Sequence, residues 1–223
     1  MILLFSGGLD SYIAWHYLDK PKTLYCAINH RYQIQEHKAV IDLIPETIVD
    51  SRLYLGDWEE DDANIPMRNA FFFMIASHYA DKICLVVQKG EMSIPDRSPK
   101  FFSSFGAWLS WMRDKPIKIF TPFDEMTKTQ MVRWYLEQGL NVADLLRTRS
   151  CFGDTTSPCG ACAACFRRWV AFKNNGFSEP YINDILAYDQ IPVYIEKMKA
   201  LKYDELRTEE TFTALKDAGY TID

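Results

Sequence analysis

The apolar positions of this chain fall into short blocks separated by helix-spaced stretches. Met1 to Phe5 is a fully apolar run cut off by Ser-Gly-Gly, which predicts a short buried strand. Residues Tyr12 to Leu18 follow with helical spacing. Thr23 to Ile28 then reads as a second strand and Glu36 to Leu43 as a second helix. Ala70 to Tyr79 predicts a strongly apolar helix, followed by a strand over Ile83 to Val87. Ile117 to Phe120 predicts another strand, and Lys128 to Gln138 a helix stopped by Gly139. Strands that alternate with helices predict a parallel sheet covered on both faces, an α/β fold. The pattern changes near Arg147. Ser150 to Cys165 is rich in Cys, Gly, Pro and Thr and contains no credible strand. Beyond Pro180 the chain reads as a charged helical tail over Pro192 to Ala200 and Thr208 to Ala218. These shifts divide the chain into residues 1–146, the α/β domain, and 147–223, a zinc-binding loop with a helical C-terminal region.

The chain has 223 residues, 48% of them hydrophobic, enough to bury a substantial core. Its net charge of -5 lacks the basic excess of a protein that grips nucleic acid through phosphates. The opening apolar run has no basic leader and no cleavage site, and no stretch approaches a membrane span. The expected location is therefore a reducing cytoplasm, where six cysteines point to metal or redox chemistry rather than disulfides.

Ser6-Gly7-Gly8-Leu9-Asp10-Ser11 sits at the turn between the first strand and the first helix. Backbone N–H groups there point outward, and the helix dipole favours an anion. Gly7 and Gly8 let the backbone approach a phosphate, Ser6 and Ser11 add hydroxyls, and Asp10 orients the loop or helps to hold Mg²⁺. No Gly-Lys-Ser/Thr follows, so this is not a Walker loop. Cys151, Cys159, Cys162 and Cys165, spaced C-x7-C-x2-C-x2-C, suit a closed tetrahedral Zn²⁺ site. Iron–sulfur ligation and a redox-active Cys-x-x-Cys pair are the rival readings of that spacing. Cys26 and Cys84 fall in core strands and read as inert thiols.

The Ser-Gly-Gly-x-Asp-Ser string resembles the signature of the ATP-pyrophosphatase (adenine nucleotide alpha hydrolase-like) superfamily. Combined with the cysteine loop, the chain resembles the 7-cyano-7-deazaguanine synthase family from residue 1 to about Pro180. Tyr32-Gln33, Ile65-Pro66-Met67-Arg68-Asn69, Thr121-Pro122, Thr127-Lys128, Ser150 and the Arg167-Arg168 pair before Phe172 carry the rest of the likeness. The resemblance implies a Rossmann-like parallel-sheet domain of the adenine nucleotide alpha hydrolase type. It also implies an ATP-dependent, C–N bond-forming ligase of queuosine biosynthesis, acting on a 7-deazaguanine carboxylic acid and ammonia in a homodimer. The loop residues and Lys128 would bind ATP, with Asp10 and Lys128 catalytic. Arg68, Asn69, Asp96, Arg97 and Phe101 would face the substrate: Asp96 the guanine-like amino edge, Arg97 the carboxylate, Phe101 the heterocycle. ATP is then a co-substrate with Mg²⁺, and Zn²⁺ is structural.

The chain departs from the family at Ile94-Pro95-Asp96-Arg97-Ser98-Pro99-Lys100-Phe101, where the usual cysteine and arginine are Arg97 and Ser98. The tail is also longer than is usual. A variant that stops at the 7-amido compound, a tRNA-thiolating ATP-pyrophosphatase, and a non-enzymatic zinc module that binds ATP all remain open at this point.

Overall fold

A computed structural model describes residues 1–92 and 94–222. Five short strands make one parallel sheet: β1 (Ile2–Leu4), β2 (Lys22–Cys26), β3 (Ile48–Asp50), β4 (Lys82–Cys84) and β5 (Lys118–Phe120). Their order is β3-β2-β1-β4-β5, with Leu3 opposite Thr23 on one side and Cys84 on the other. The chain starts in the middle, builds outward through β2 and β3, then crosses back to β4 and β5. The order reverses between β1 and β4, which opens a crevice beyond the carboxyl ends of those two strands.

Side chains alternate across the pleat and supply two separate cores. Leu3, Phe5, Tyr25 and Cys84 face α1 (Leu9–Tyr17), α2 (Gln33–Leu43), α5 (Lys128–Glu137) and α7 (Ala163–Lys173). Ile2, Leu4, Leu24, Cys26 and Ile83 face α3 (Arg68–Ala76) and α4 (Pro99–Arg113). Both faces are covered, as the continuous apolar strands predict. Burial pushes the Cys26 and Cys84 thiols up to about 12, which keeps them protonated and unreactive.

The helices of the α/β part start where local chemistry dictates. Thr127 caps α5 in a reciprocal capping box with Gln130, which fixes Lys128 as the first helical residue. Ser98 caps α4 by accepting from the Phe101 N–H, and Pro99 follows at the first helical position. The periodicity of the chain did not reveal β3, α4, α6 (Val142–Arg147) or α7. The expected strand over Ile83 to Val87 ends early, at Cys84.

A third apolar cluster joins the cysteine loop to the C-terminal helices. Cys151, Cys165, Phe166 and Trp169 pack against Ile191 and Ile195 of α8 (Ile191–Lys199) and Ala214 and Leu215 of α9 (Glu205–Asp217). Arg168 is turned away from both solvent and crevice: it is 2% exposed. Its guanidinium donates to Glu179 at 2.6 Å, to the Thr148 hydroxyl at 2.6 Å and to the Leu145 carbonyl at 2.7 Å, and it stacks over Phe172. Tyr181 donates to the same Glu179 oxygen at 2.8 Å. This buried network ties α7 to the end of α6 and to the stretch that touches the glycine loop. Replacing Arg168 with Met should cost about 3–5 kcal/mol of stability, because Glu179 would keep a buried charge without its partner. Chemical denaturation measures this, and an unchanged midpoint would exclude the network as a major support.

Candidate active site and metal centre

The glycine loop lies at the crevice, immediately after β1. Gly7 has a φ of 69°, and a Cβ there would sit 3.0 Å from the Val40 nitrogen and 3.1 Å from the Ala39 Cβ of α2. Only glycine serves both demands. Gly8 caps α1 without any side-chain acceptor. The Gly8 N–H is taken by Ser6 Oγ at 3.3 Å and the Leu9 N–H by Ser150 Oγ at 3.3 Å. The Ser11 hydroxyl donates back to the Gly8 carbonyl at 3.0 Å and lies 3.5 Å from Ser6 Oγ. The N–H groups of Asp10 and Ser11 have no acceptor among the described residues, so donors and dipole remain aimed into the crevice.

The loop is braced from far along the chain. Arg149 N–H donates to the Gly7 carbonyl at 2.7 Å, next to the Ser150 contact. The segment entering the cysteine loop is therefore the back wall of the glycine loop. Across the crevice Lys128 Nζ pairs with the Asp10 carboxylate. Burial pulls the Lys128 pKa down, and Asp10 counters that pull by favouring the ammonium.

A cluster of charges continues from Lys128 toward the loop after β4. Glu91, 9% exposed, accepts from Arg97 at 3.0 Å and from Arg167 at 3.4 Å. Burial alone would raise its pKa, but Arg97, Arg167, Lys128 and Arg207 more than offset that and hold it below the usual carboxylate value. Beyond Arg97, the Asn69 side chain donates to the Asp96 carbonyl at 3.4 Å, which links the first turn of α3 to the Asp96–Arg97 turn. Arg68 lies over the Phe72 ring, 5.8 Å from its centroid.

Asp10 thus holds Lys128, which lines one cleft with Arg167, and Arg167 meets Arg97 at Glu91, with Asp96 and Asn69 beyond. Phe101 is placed differently: its ring stacks on Phe105 with centroids 5.2 Å apart and packs toward Phe73. Sequence reasoning missed Glu91, Arg149 and Arg207. Glu91 and Arg207 are lone charges with no motif around them, and Arg149 acts through its backbone N–H, which no side-chain pattern reveals.

The four cysteines converge as their spacing predicts. Their sulfurs all lie within 4.8 Å of one another, with Cys159 and Cys165 at 3.9 Å. Tetrahedral zinc with Zn–S bonds of about 2.3 Å would place sulfurs about 3.8 Å apart. Backbone N–H groups already point at the sulfurs: Gly153 and Cys159 donate to Cys151, each at 3.3 Å, Ala161 to Cys159 at 3.3 Å, and Cys165 to Cys162 at 3.4 Å. Such donors stabilise thiolates and orient them toward one point. Hydrogen bonding from Cys162 and Cys165 lowers the Cys151 pKa, while that with Cys151 and Cys162 raises the Cys165 pKa. Gly160 turns the loop with a φ of 73°, and a Cβ there would lie 2.3 Å from the Asn183 carbonyl oxygen. The donor set fits a metal ion.

The family model described as "Queuosine biosynthesis protein QueC" matches residues 52–176, more than half of the chain. The chain belongs to the QueC family. Curated proteins named 7-cyano-7-deazaguanine synthase are similar along different lengths. The one from Persephonella marina is 34% identical over 128 residues, covering 52% of this chain and 55% of its own length. The Rickettsia canadensis protein is 30% identical over 174 residues, 67% of this chain and 75% of its own. The Marinobacter nauticus protein is 26% identical over 225 residues, 86% of this chain and 98% of its own. QueC membership accounts for the parallel sheet and for a cysteine cluster able to hold a metal. The match contains β4, α5, the Asp96–Arg97 turn and all four cysteines, and ends before α8 and α9.

Proposed function

We propose that this chain is an ATP-dependent enzyme that converts 7-carboxy-7-deazaguanine and ammonia to 7-cyano-7-deazaguanine, releasing AMP and pyrophosphate. The observation that carries the reading is the glycine loop at the sheet's switch point, with uncapped N–H donors and Lys128 across from it. QueC membership and the names of its relatives supply the substrate class.

A carboxylate resists attack by ammonia because its charge repels the nucleophile and its oxygen leaves badly. One carboxylate oxygen attacks the α-phosphorus of ATP, the bond to the β-phosphate oxygen breaks, and pyrophosphate departs. Ammonia then attacks the acyl carbon and gives up a proton as AMP leaves, forming the amide. The amide oxygen attacks the α-phosphorus of a second ATP. Loss of two protons from nitrogen and cleavage of the C–O bond release a second AMP and leave the nitrile.

Neither activation needs a protein nucleophile. Both need positioning and charge stabilisation. Ser6, Gly7, Gly8, Leu9, Asp10 and Ser11 bind the departing pyrophosphate through backbone N–H groups and hydroxyls. Lys128 neutralises phosphate charge, and Asp10 keeps it charged while buried. Mg²⁺ arrives as part of the nucleotide substrate, with Asp10 the acid at the loop that meets it. Arg97 spends only one of its five donors on Glu91 and keeps others for the substrate carboxylate. Asn69, Asp96 and Arg68 line the substrate side. Phe101, stacked on Phe105, offers the heterocycle at most the ring face turned away from that partner.

Cys151, Cys159, Cys162 and Cys165 would hold a structural Zn²⁺, which supplies cross-linking of the loop rather than chemistry because all four positions are filled by sulfur. Residues 147–223 then form a zinc-organised region that packs on the α/β domain through α7, and the active form is a homodimer. The thiolating reading loses ground on one observation. With four cysteines gathered at one point, the remaining two, Cys26 and Cys84, are buried and cannot carry sulfur. Among the described residues no helix is long and apolar enough to cross a membrane.

Incubation with 7-carboxy-7-deazaguanine, ATP, Mg²⁺ and ammonium, followed by mass analysis of the base, should yield the nitrile. An amide end product would establish the truncated variant that the altered Asp96–Arg97 turn leaves open. An unchanged base would overturn the reading.

A further inference from the structure

The proposed reaction leaves one cation of the crevice without a task. Asp204 caps α9 by accepting from the Arg207 N–H at 3.2 Å, and pairs with Lys89 at 4.0 Å on the loop after β4. Gly90 packs directly beneath: a Cβ there would lie 3.3 Å from the Asp204 Cβ and 3.8 Å from the Arg207 Cδ. The start of α9 is thus seated on one wall of the crevice. A second tie runs to the other wall, where the Thr127 hydroxyl donates to Glu210 at 2.7 Å, one residue from Lys128.

Between these ties Arg207 lines a cleft together with Lys128, Thr129, Arg167 and Thr211. Its guanidinium lies over the Tyr203 ring, 4.7 Å from the centroid. It has no hydrogen-bond or ion-pair acceptor among the described residues, whereas Lys128 has Asp10, Arg97 and Arg167 share Glu91, and Lys89 has Asp204. Burial and the neighbouring Arg167 both disfavour its charge. A half-buried guanidinium beside another cation is an arrangement that an incoming anion stabilises.

We infer that Arg207, with Arg167 and Lys128, forms a second anion seat in this cleft, and that its ligand is the pyrophosphoryl end of the nucleotide. The inference rests on the adenylation reading above. Charge balance favours pyrophosphate over the substrate carboxylate. The glycine loop offers neutral donors and Asp10 already offsets Lys128, so Arg207 adds a protein cation to the Mg²⁺ that accompanies the multiply charged leaving group. Arg207 stands beside Thr127, Lys128 and Thr129 of α5, while Asn69 and Asp96 lie beyond Glu91. Arg207 lies on α9, outside residues 52–176 that the family model matches, whereas Lys128 and Arg167 lie inside them.

Titration calorimetry of the full, zinc-loaded chain with inorganic pyrophosphate and Mg²⁺ tests the seat. Arg207→Gln should weaken pyrophosphate binding about tenfold, Arg207→Lys should recover part of it, and AMP binding should be the same in all three proteins. Pyrophosphate affinity in Arg207→Gln within about twofold of wild type, less than one charge-assisted contact provides, would overturn the inference. So would a loss confined to the deazaguanine acid. Failure of the wild-type chain to bind pyrophosphate at all would instead overturn the adenylation reading beneath it.

Discussion

Asp10→Ala should abolish AMP formation while the α/β fold survives. Asp10 stands in the first turn of α1, half-exposed, and its side chain contributes to neither apolar core. Its loss leaves Lys128 partly buried without a counter-ion, and burial already pulls that ammonium toward its neutral form. The variant therefore loses both the loop acid and the charge that faces the departing pyrophosphate. Lys128→Ala removes that charge directly and should lower kcat/KM by about 10²–10³-fold, the scale for deleting one preorganised donor to a developing anion. Radiolabelled ATP read for AMP measures both, with circular dichroism as the control for folding. A wild-type rate in Asp10→Ala would remove the glycine loop from the chemistry.

Cys162→Ser should cost metal and solubility together. Cys162 is also the N-cap of α7, its sulfur accepting from the Cys165 N–H. Serine is a stronger N-cap than most residues, so the substitution preserves the helix start and isolates the metal role. The structural zinc of small metal-dependent folds is worth about 10–16 kcal/mol, comparable with the entire stability of a typical domain. Because Cys151 and Cys165 belong to the same apolar cluster as Ile191, Ile195 and Leu215, opening the site should also release α8 and α9. Metal content and proteolysis of the purified variant provide the readout. A well-folded, metal-free Cys162→Ser protein would contradict a structural zinc.

Much of the fold was legible because the buried strands are short, apolar and punctuated, and because their alternation with helices leaves few topologies. β3 escaped because its apolar run is only Ile48-Val49, set between Thr47 and Asp50, an acid that pairs with Arg52. α4 escaped because apolar residues interrupt its outer side, where Lys100, Ser103 and Ser104 are exposed beside large aromatics. Phe102, Gly106 and Leu109 face the core, while Trp108, Trp111 and Met112 face outward and blur the contrast between the two sides. α7 was hidden by its own start inside the cysteine loop.

The candidate site divides in the same way. The glycine loop and the cysteines are contiguous, and their chemistry can be read from spacing alone. Ser150, Glu91 and Arg207 reach the crevice from distant parts of the chain, and only the folded backbone shows that they meet. Arg168 illustrates the opposite case. In the sequence it is simply the second of an Arg167-Arg168 pair, yet a helix turns adjacent residues about 100° apart. Arg167 therefore meets Glu91, while Arg168 is buried against Glu179.

The most direct test of the central claim is the identity of the nucleotide product. With the deazaguanine acid, ammonium and Mg-ATP present, the account predicts AMP and pyrophosphate in equal amounts, formed only when the acid is supplied. Accumulation of ADP and phosphate instead would place the attack on the γ-phosphorus and contradict it.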